Sequence, residues 1–492
     1  MAQERQHNLS EFIRLSAAYA KAAKIPEHRA NPFFNIANCT TKSELLYPDL
    51  IGQKNWIWRL LDSILGATFV ICRSLLYFPN RIKPQEKIEK IDVLIVSHLT
   101  NLRHLTSVND FYFENLASEL NDSGITTHLC LINHIEAKSN EVSKIDSRTV
   151  LPAYLSPVKE CFHILKLIFS IGKVSALMGN AIEKRFLRMA KLAQFNSKAI
   201  GDFRIGLMLC DVVAKSKPKL VIHTYEGHGW EKILNAETRK MCKPPFICGY
   251  QHAALFPGPK SICFDAKDAS PMHVFTTGDV TRTALMQDSE IPGVGFSILG
   301  SNKNAPKTSG SVSQSGKGVC LFAPEGTVNE VRLMAEIALE AAIANPLQIF
   351  VLRLHPVLSR DKVLKELKQL QPFPANFLLS KNGLSVDLIS SSWICYRGSS
   401  VVFQAILNRI KPIYLDVEDK AGYNDPLFGI LDIKKIASSG LQLNAIIQQE
   451  AVCEATERQA FDEAISYVNG YMMPFSADTL INLFNAKLND RP

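Results

Sequence analysis

The sequence predicts an α/β protein of two doubly wound domains with a helical extension at its N-terminus. Its 492 residues are too many for one ordinary hydrophobic core. Short β-branched apolar runs alternate with helical patterns, which is typical of parallel sheets covered by helices. A polar stretch rich in Ser, Gly, Lys and Asn predicts a linker between the domains. The predicted parts are the extension 1–90, an N-terminal domain 91–300, the linker 301–317, a C-terminal domain 318–455 and C-terminal helices 456–492.

The extension contains the most apolar long stretch of the chain, Trp56–Phe78. Arg59, Asp62 and Arg73 interrupt it, and its charge-free part, 63–72, is too short to span a bilayer. Aromatic residues near both ends are compatible with a helix lying in a membrane interface. A helix buried in the protein core explains the same pattern, and we favour that interpretation.

Composition indicates a soluble protein with an anion-attracting surface. The formal net charge is +8, and basic residues cluster between 184 and 219. They could attract nucleotide phosphates, acidic glycans or an anionic membrane, or form a solvated helix face. Nucleic acid is not favoured, because no recognisable RNA- or DNA-binding motif accompanies the charge. The eleven cysteines form no Cys-x-x-Cys pair, and 1–24 does not resemble a signal peptide, so we expect a cytoplasmic protein with reduced thiols.

Each predicted domain is a series of strands and helices. The N-terminal domain opens with strand Asp92–Ser97, helix Phe111–Leu120 and strand Thr126–Ile132, and continues with helices and then strands Lys219–His223, Pro245–Tyr250 and Val274–Thr277. The C-terminal domain has strands Val319–Ala323, Gln348–Leu354, Trp393–Tyr396 and Lys411–Leu415, with helices Asn329–Ile343, Asp361–Leu370 and Ser399–Asn408 between them. Ligands of such sheets bind outside the carboxyl ends of the strands.

The first candidate segment is the loop Tyr225–His228, at the carboxyl end of a predicted strand. Its Glu226 is a candidate catalytic acid or base, and His252, after the next strand, is its candidate partner. Glu231 is the rival carboxylate, and a helix-capping role is the structural alternative. A metal site of histidines and glutamates is a further alternative, but no His-Glu-x-x-His motif supports it.

The second segment is His355-Pro356, which ends an apolar strand. Strand alternation places Arg353 on the same side as His355, and proline stops the strand. These residues could bind a diphosphate or a leaving phosphate. A strand-terminating proline beside a half-buried histidine is the structural alternative.

The third segment, Arg397-Gly398-Ser399-Ser400, lies between a predicted strand and a helix. Helix N-termini present free N–H groups and a positive dipole end, which favour phosphate. Gly398 permits close backbone approach, the two serines add hydroxyl donors, and Arg397 adds charge. An ordinary serine cap is the structural alternative.

The order of these segments (acid-Gly, His-Pro, Gly-Ser-Ser) resembles that of the bacterial transferases that use CMP-activated acidic sugars, the sialyltransferases and Kdo transferases. The resemblance covers 92–416 at motif level and implies a GT-B-type fold, in which two Rossmann-like domains face a cleft. It also implies that the last helix returns to the first domain. Tyr225 departs from the family, which usually has a second acid there, and Glu226 replaces the usual Asp.

The resemblance implies a role for each matched residue. If the reaction inverts, Glu226 would deprotonate the acceptor hydroxyl; if it retains, the same carboxylate would act as a nucleophile or stabilise an oxocarbenium ion. His355, Ser399 and Ser400 would bind the CMP phosphate. The remaining candidates are substrate-binding residues, namely His228, Trp230 and Glu231. Here His228 and His252 would hold the sugar carboxylate, and Trp230 would stack on a sugar or base.

The implied activity is transfer of an acidic keto sugar, Kdo or a sialic-acid-like nonulosonate, from a CMP donor to a cell-surface glycan or lipid-linked glycan. The CMP-sugar is a co-substrate, and neither a cofactor nor a catalytic metal is expected. Peripheral contact with the inner membrane stays open. The alternatives are a CDP-glycerol-type phosphotransferase, a UDP-sugar epimerase or transferase on the same fold, and a non-enzymatic carbohydrate-assembly protein.

Overall fold

The computed structural model describes residues 2–35, 56–83, 89–107, 109–142, 148–255, 260, 265–301, 318–355, 358–417, 425–430, 432–449 and 454–489. The chain divides into two compact units. Unit 1 comprises 1–253, 259–300 and 475–492, and unit 2 comprises 254–258 and 301–474. All but one residue of the predicted linker 301–317 lies outside the described residues.

Unit 1 contains, among its described residues, a seven-stranded parallel sheet in the order β3-β2-β1-β4-β5-β6-β7. Its strands are β1 Val93–Leu99, β2 Thr127–Asn133, β3 Arg148–Val150, β4 Leu220–Thr224, β5 Phe246–Gln251, β6 His273–Thr276 and β7 Gly295–Ile298. Its helices are α1 Ala2–Ala22, α2 Pro26–Arg29, α3 Trp56–Tyr77, α4 Arg103–Thr106, α5 Leu116–Asp122, α6 Pro157–Ser170, α7 Ala181–Ala193, α8 Ser197–Ser216, α9 Gly229–Thr238 and α10 Asp279–Asp288.

Unit 2 contains, within the part of the chain that the structure describes, a six-stranded parallel sheet in the order β10-β9-β8-β11-β12-β13. Its strands are β8 Val319–Ala323, β9 Phe350–Leu352, β10 Phe377–Leu379, β11 Ser391–Tyr396, β12 Lys411–Leu415 and β13 Lys435–Ala437. Its helices are α11 Val328–Ala344, α12 Arg360–Glu366, α13 Leu384–Ile389, α14 Val401–Leu407, α15 Gly440–Gln448 and α16 Glu454–Tyr471.

Both sheets have the doubly wound strand order in which the first and fourth strands are neighbours. Their central strands are apolar because helices bury both faces, as in β1, where all seven residues are buried. Two Rossmann-like units after a helical N-terminal segment confirm the predicted GT-B-type fold class.

The last helix, α17 Asp478–Asn489, belongs to unit 1. Ala477, Leu480 and Phe484 are buried in the same hydrophobic cluster as the strands β1 and β2. The Ala477 N–H also donates to the Glu119 carboxylate at 3.1 Å. Apolar burial therefore fixes the end of the chain to the first Rossmann-like unit.

Helix α3 corrects one sequence interpretation. The sequence favours a core helix for Trp56–Phe78, but only one face of α3 is buried in the structure. Large apolar side chains on the other face are exposed, including Trp58 and Leu65, each at 66%. Apolar content alone predicted burial here, and it did not reveal which face contacts the protein.

Candidate active site

The candidate site in unit 1 lies where β1 and β4 run side by side, at the topological switch point of the sheet. His98, near the end of β1, is buried, and its Nε2 lies 2.7 Å from the hydroxyl of Thr224, the last residue of β4. Its Nδ1 lies 2.8 Å from Nε2 of His134, which follows β2. The ends of three neighbouring strands are therefore joined by one hydrogen-bonded chain.

The loop after β4 is shaped by Glu231, in the first turn of α9. Its carboxylate accepts hydrogen bonds from the backbone N–H groups of Glu226, Gly227 and His228 at 2.7–3.2 Å. Gly227 has φ of 85°, a left-handed conformation that favours glycine. Complete burial raises the pKa of Glu231, while the three N–H donors act in the opposite direction. This internal carboxylate thus holds the loop that carries Glu226.

Glu226 projects from this loop with its side chain 32% exposed. One carboxylate oxygen lies 2.9 Å from Nε2 of His228, and the other lies 3.5 Å from Nε2 of His252. His252 follows β5 and packs edge-on against the ring of Tyr112. Burial and the nearby Glu226 charge raise the pKa of Tyr112 to about 12, so it stays a neutral phenol. A solvent-accessible carboxylate between two imidazoles can exchange protons with a bound hydroxyl.

The structure brings together Glu226, His228 and His252, as the sequence analysis grouped them. It gives the other two candidates internal roles. Trp230 is 2% exposed and packs against His98 and other imidazoles, so its predicted stacking on a ligand does not fit its position. Glu231 is 0% exposed, so its predicted contact with substrate does not fit either. Both residues contact the loop from the protein interior: Trp230 stacks on the His228 ring, and Glu231 accepts the hydrogen bonds of the loop N–H groups.

Sequence reasoning missed His98, His134 and Tyr112. His98 directly follows the predicted strand 92–97, and His134 comes two residues after the predicted strand 126–132. The strand-end rule that selected Glu226 would have selected both histidines. Tyr112 carries no such signal, because it lies in a turn before α5 rather than at a strand end.

A cavity of about 160 Å³ lies beside His134 at the end of β2. Polar groups line it, among them Asn133, Glu136, Tyr154 and Arg204. Tyr154 donates to Glu136 at 2.9 Å, and Arg204 pairs with the fully buried Glu160. A small cavity with polar groups next to the histidine chain is a candidate ligand pocket.

The candidate site in unit 2 lies at the equivalent switch point, between β8 and β11. Gly398 follows β11, and a Cβ atom there would overlap with the carboxylate of Glu325, which follows β8. Ser399 is buried, whereas Ser400 is exposed immediately before α14 and makes no side-chain cap bond to that helix. The structure thus does not support the serine-cap alternative for Ser400.

The two arginines predicted to bind phosphate are both paired within the protein. Arg397 is 3% exposed and contacts the buried Glu330 at 3.3 Å. Arg353 contacts the buried Asp387 at 2.6 Å and keeps 17% exposure. These pairs compensate the arginine charges, so the direct phosphate contact predicted for Arg397 does not fit its burial.

His355 is exposed after β9, at the same edge of the sheet as the Gly-Ser-Ser loop. Pro356 lies outside the described residues. Within the described residues, no group of three or more His, Cys, Asp or Glu side chains is arranged to hold a metal ion. His223, part of the alternative metal set, is fully buried and lies 2.9 Å from the Asn235 side-chain oxygen.

No protein-family model and no curated protein matches this chain. Among solved structures, the chain is similar to a glycosyltransferase from Rickettsia africae ESF-5 (11% identity, TM-score 0.45, 82% of this chain and 100% of that one). It is also similar to Acinetobacter baumannii MurG (9%, 0.45, 80% and 99%) and to UDP-GlcNAc 2-epimerase from Neisseria meningitidis bound to UDP-GlcNAc (14%, 0.41, 82% and 100%). Identities this low carry no activity or residue role to this chain.

Proposed function

We propose that the protein is a metal-independent glycosyltransferase that moves an acidic keto sugar from a CMP donor to a glycan acceptor. The observation that carries the proposal is the partly exposed Glu226 side chain, whose carboxylate is held between His228 and His252 at the switch point of unit 1. A general base needs this combination of access and fixed position. The motif order of the sequence supports the CMP donor.

In the proposed reaction, the oxygen of an acceptor hydroxyl attacks the anomeric carbon of the donor. Glu226 accepts the proton of that hydroxyl during the attack. The bond from that carbon to the CMP phosphate breaks, and CMP leaves with the bonding electrons. His228 and His252 orient the carboxylate, and either imidazole, when protonated, can pair with the carboxylate of the donor sugar.

Unit 2 supplies the proposed donor site. The backbone at Gly398, the hydroxyl of the exposed Ser400, and His355 bind the CMP phosphate at the carboxyl edge of its sheet, while the buried Ser399 belongs to the loop that carries Gly398 and Ser400. Arg397, paired with Glu330, holds the loop in place.

Nucleotide preference tests the donor assignment. Calorimetry with CMP, CDP, UDP and GDP on the purified protein should show tightest binding of CMP, and transfer is then assayed with CMP-Kdo and a CMP-sialic acid. Preference for UDP or CDP would instead support the UDP-sugar enzyme or the CDP-glycerol-type phosphotransferase. Absence of binding to all four nucleotides would contradict a nucleotide-dependent enzyme.

A conservative substitution tests the base. Glu226→Gln should lower turnover by roughly 10²–10⁴-fold, because the amide cannot accept the acceptor proton, while CMP affinity is unchanged. Glu290→Gln is the matched control, since Glu290 is 63% exposed and pairs only with Lys21 among the contacts described. Normal turnover of the Glu226→Gln protein would remove Glu226 from the mechanism.

A further inference from the structure

Helix α3 has the reverse of the polarity expected for a helix on a water-soluble domain. Its buried stripe is mostly small or polar and consists of Arg59, Ser63, Ala67, Val70, Ser74 and Tyr77. Its exposed side carries large apolar residues, with Trp58 and Leu65 at 66%, Phe69 at 56% and Leu76 at 72% exposure. In water, burial of the apolar side would be favourable.

Helix α6 packs against α3 and also exposes large apolar side chains. Val158 and Phe169 are 80% and 75% exposed, and Phe162 is 55% exposed. We call the exposed apolar side chains of α3 and α6 the apolar face. Isolated exposed apolar residues are normal, but a concentration of them on two adjoining helices marks an interaction surface.

Most exposed charges on α3, α6 and α7 are basic; the exposed acid on α3 is Asp62, whose side chain is 64% exposed. In the fully described stretch 157–193, the exposed charged residues are all basic: Lys159, Lys166, Lys173, Lys184, Arg185 and Arg188. The two carboxylates of this stretch are 0% exposed. Glu160 pairs with Arg204, and Glu183 accepts hydrogen bonds from Tyr19 and from the backbone of 177–179. The stretch 157–193 therefore places six exposed basic residues and no exposed acid beside the apolar face, against the single exposed carboxylate Asp62 on α3.

We propose that the apolar face docks on a bilayer containing anionic lipids, with α3 and α6 lying in the interface. Apolar side chains would enter the acyl boundary while the lysines and arginines contact headgroup phosphates. Trp58 suits the boundary itself, where indole rings concentrate. This proposal does not depend on the reaction assigned to Glu226.

The packing of α3 favours docking over crossing. Among the described residues, the one helix long and apolar enough to cross a membrane covers 56–80, and 22% of its most apolar window is buried in protein. That buried stripe packs on α6, α7 and α8, with Ser63 donating to the Leu192 carbonyl at 2.7 Å. Because α7 bears exposed Lys184, Arg185 and Arg188, a crossing α3 would draw these charges into the hydrocarbon.

Vesicle sedimentation of the full chain tests the proposal. Wild-type protein should bind vesicles of phosphatidylcholine with 30 mol% phosphatidylglycerol at least tenfold more tightly than pure phosphatidylcholine vesicles. Leu65→Glu with Phe169→Glu should reduce binding at least tenfold, and Lys159→Gln with Lys166→Gln should reduce the preference for anionic vesicles. Leu347→Glu is the matched control, because Leu347 is 78% exposed in unit 2, and it should bind as wild type.

Three results would overturn the proposal. The first is that the wild-type protein does not bind vesicles, and the second is that Leu347→Glu reduces vesicle binding as much as Leu65→Glu with Phe169→Glu. The third is that the wild-type protein is a dimer that Leu65→Glu converts to a monomer, because a second copy of the chain would then cover the apolar face. Circular dichroism and CMP affinity establish that each variant is folded. Since failure of vesicle binding leaves CMP affinity and turnover untouched, it is distinguishable from failure of the proposed function.

Discussion

The switch points of the two units have the same strand topology and opposite chemistry. In unit 1, the site centres on the partly exposed Glu226, whose carboxylate lies between the imidazoles of His228 and His252. In unit 2, the charged residues Arg397 and Arg353 are paired with buried carboxylates, and a glycine and two serines form the loop. One topology thus places a partly exposed carboxylate between two imidazoles in one unit, and a Gly-Ser-Ser loop against the Glu325 carboxylate in the other.

This difference shows that a charged residue at a strand end is not by itself a ligand-binding residue. Glu231 and Arg397 lie near switch points, yet each is buried and contacts groups within the protein: Glu231 accepts hydrogen bonds from its own loop, and Arg397 pairs with Glu330. Glu226 differs because its side chain is 32% exposed. Burial and internal partners therefore separate the residues that shape a site from those that act in it.

The largest expected effect on stability tests the internal role of Arg397. Arg397→Ala should lower the free energy of unfolding by about 3–5 kcal/mol, because it leaves the buried Glu330 carboxylate without its partner. Arg409→Ala, which breaks an exposed pair with Asp462, should cost less than about 1 kcal/mol. Urea unfolding measures both. A stable Arg397→Ala protein that loses CMP affinity would instead make Arg397 a nucleotide ligand.

A smaller effect is expected at the loop of unit 1. Glu231→Ala should lower the free energy of unfolding by about 1–3 kcal/mol, because buried backbone N–H groups lose their acceptor. Glu226→Ala should change stability by less than about 0.5 kcal/mol, since its side chain is partly exposed. Equal losses in denaturant unfolding would contradict the division between loop-holding and acting carboxylates.

Glycine substitutions test the loop of unit 2. Gly398→Ala should weaken CMP binding by about tenfold, equivalent to about 1.4 kcal/mol, because the new methyl group displaces the Glu325 carboxylate and the loop with it. Gly383→Ala is the control, as a Cβ there meets no atom within 4 Å. Calorimetry compares the two variants, and equal affinities would separate the Gly-Ser-Ser loop from the nucleotide site.

Much of the fold could be predicted from the sequence, because parallel strands buried on both faces leave continuous β-branched runs such as Val93–Val96. Strand ends also located Glu226 and His252. The pairing of Arg353 with Asp387 joins residues 34 positions apart, and no local pattern reveals such a partner. The exposed apolar face of α3 could not be predicted either, because the periodicity of an apolar helix does not show whether protein or another phase covers its apolar residues.

The smallest effect concerns the pH dependence of the unit 1 site. Burial and the neighbouring histidines lower the pKa of His98 well below its ordinary value. The folded state therefore keeps His98 neutral at pH values where the unfolded chain, with a pKa of about 6.5, binds a proton. The resulting stabilisation is present above about pH 6.5 and is lost as the pH falls below it towards the folded pKa, by on the order of 1 kcal/mol per pH unit. Urea unfolding between pH 7.5 and 5.5 should show this decline. His98→Asn, which has no titrating group, should reduce the slope, and His134, His163 and His273, whose pKa values burial also lowers, should contribute to the rest. An unchanged slope in the His98→Asn protein would show that His98 does not contribute to the acid sensitivity.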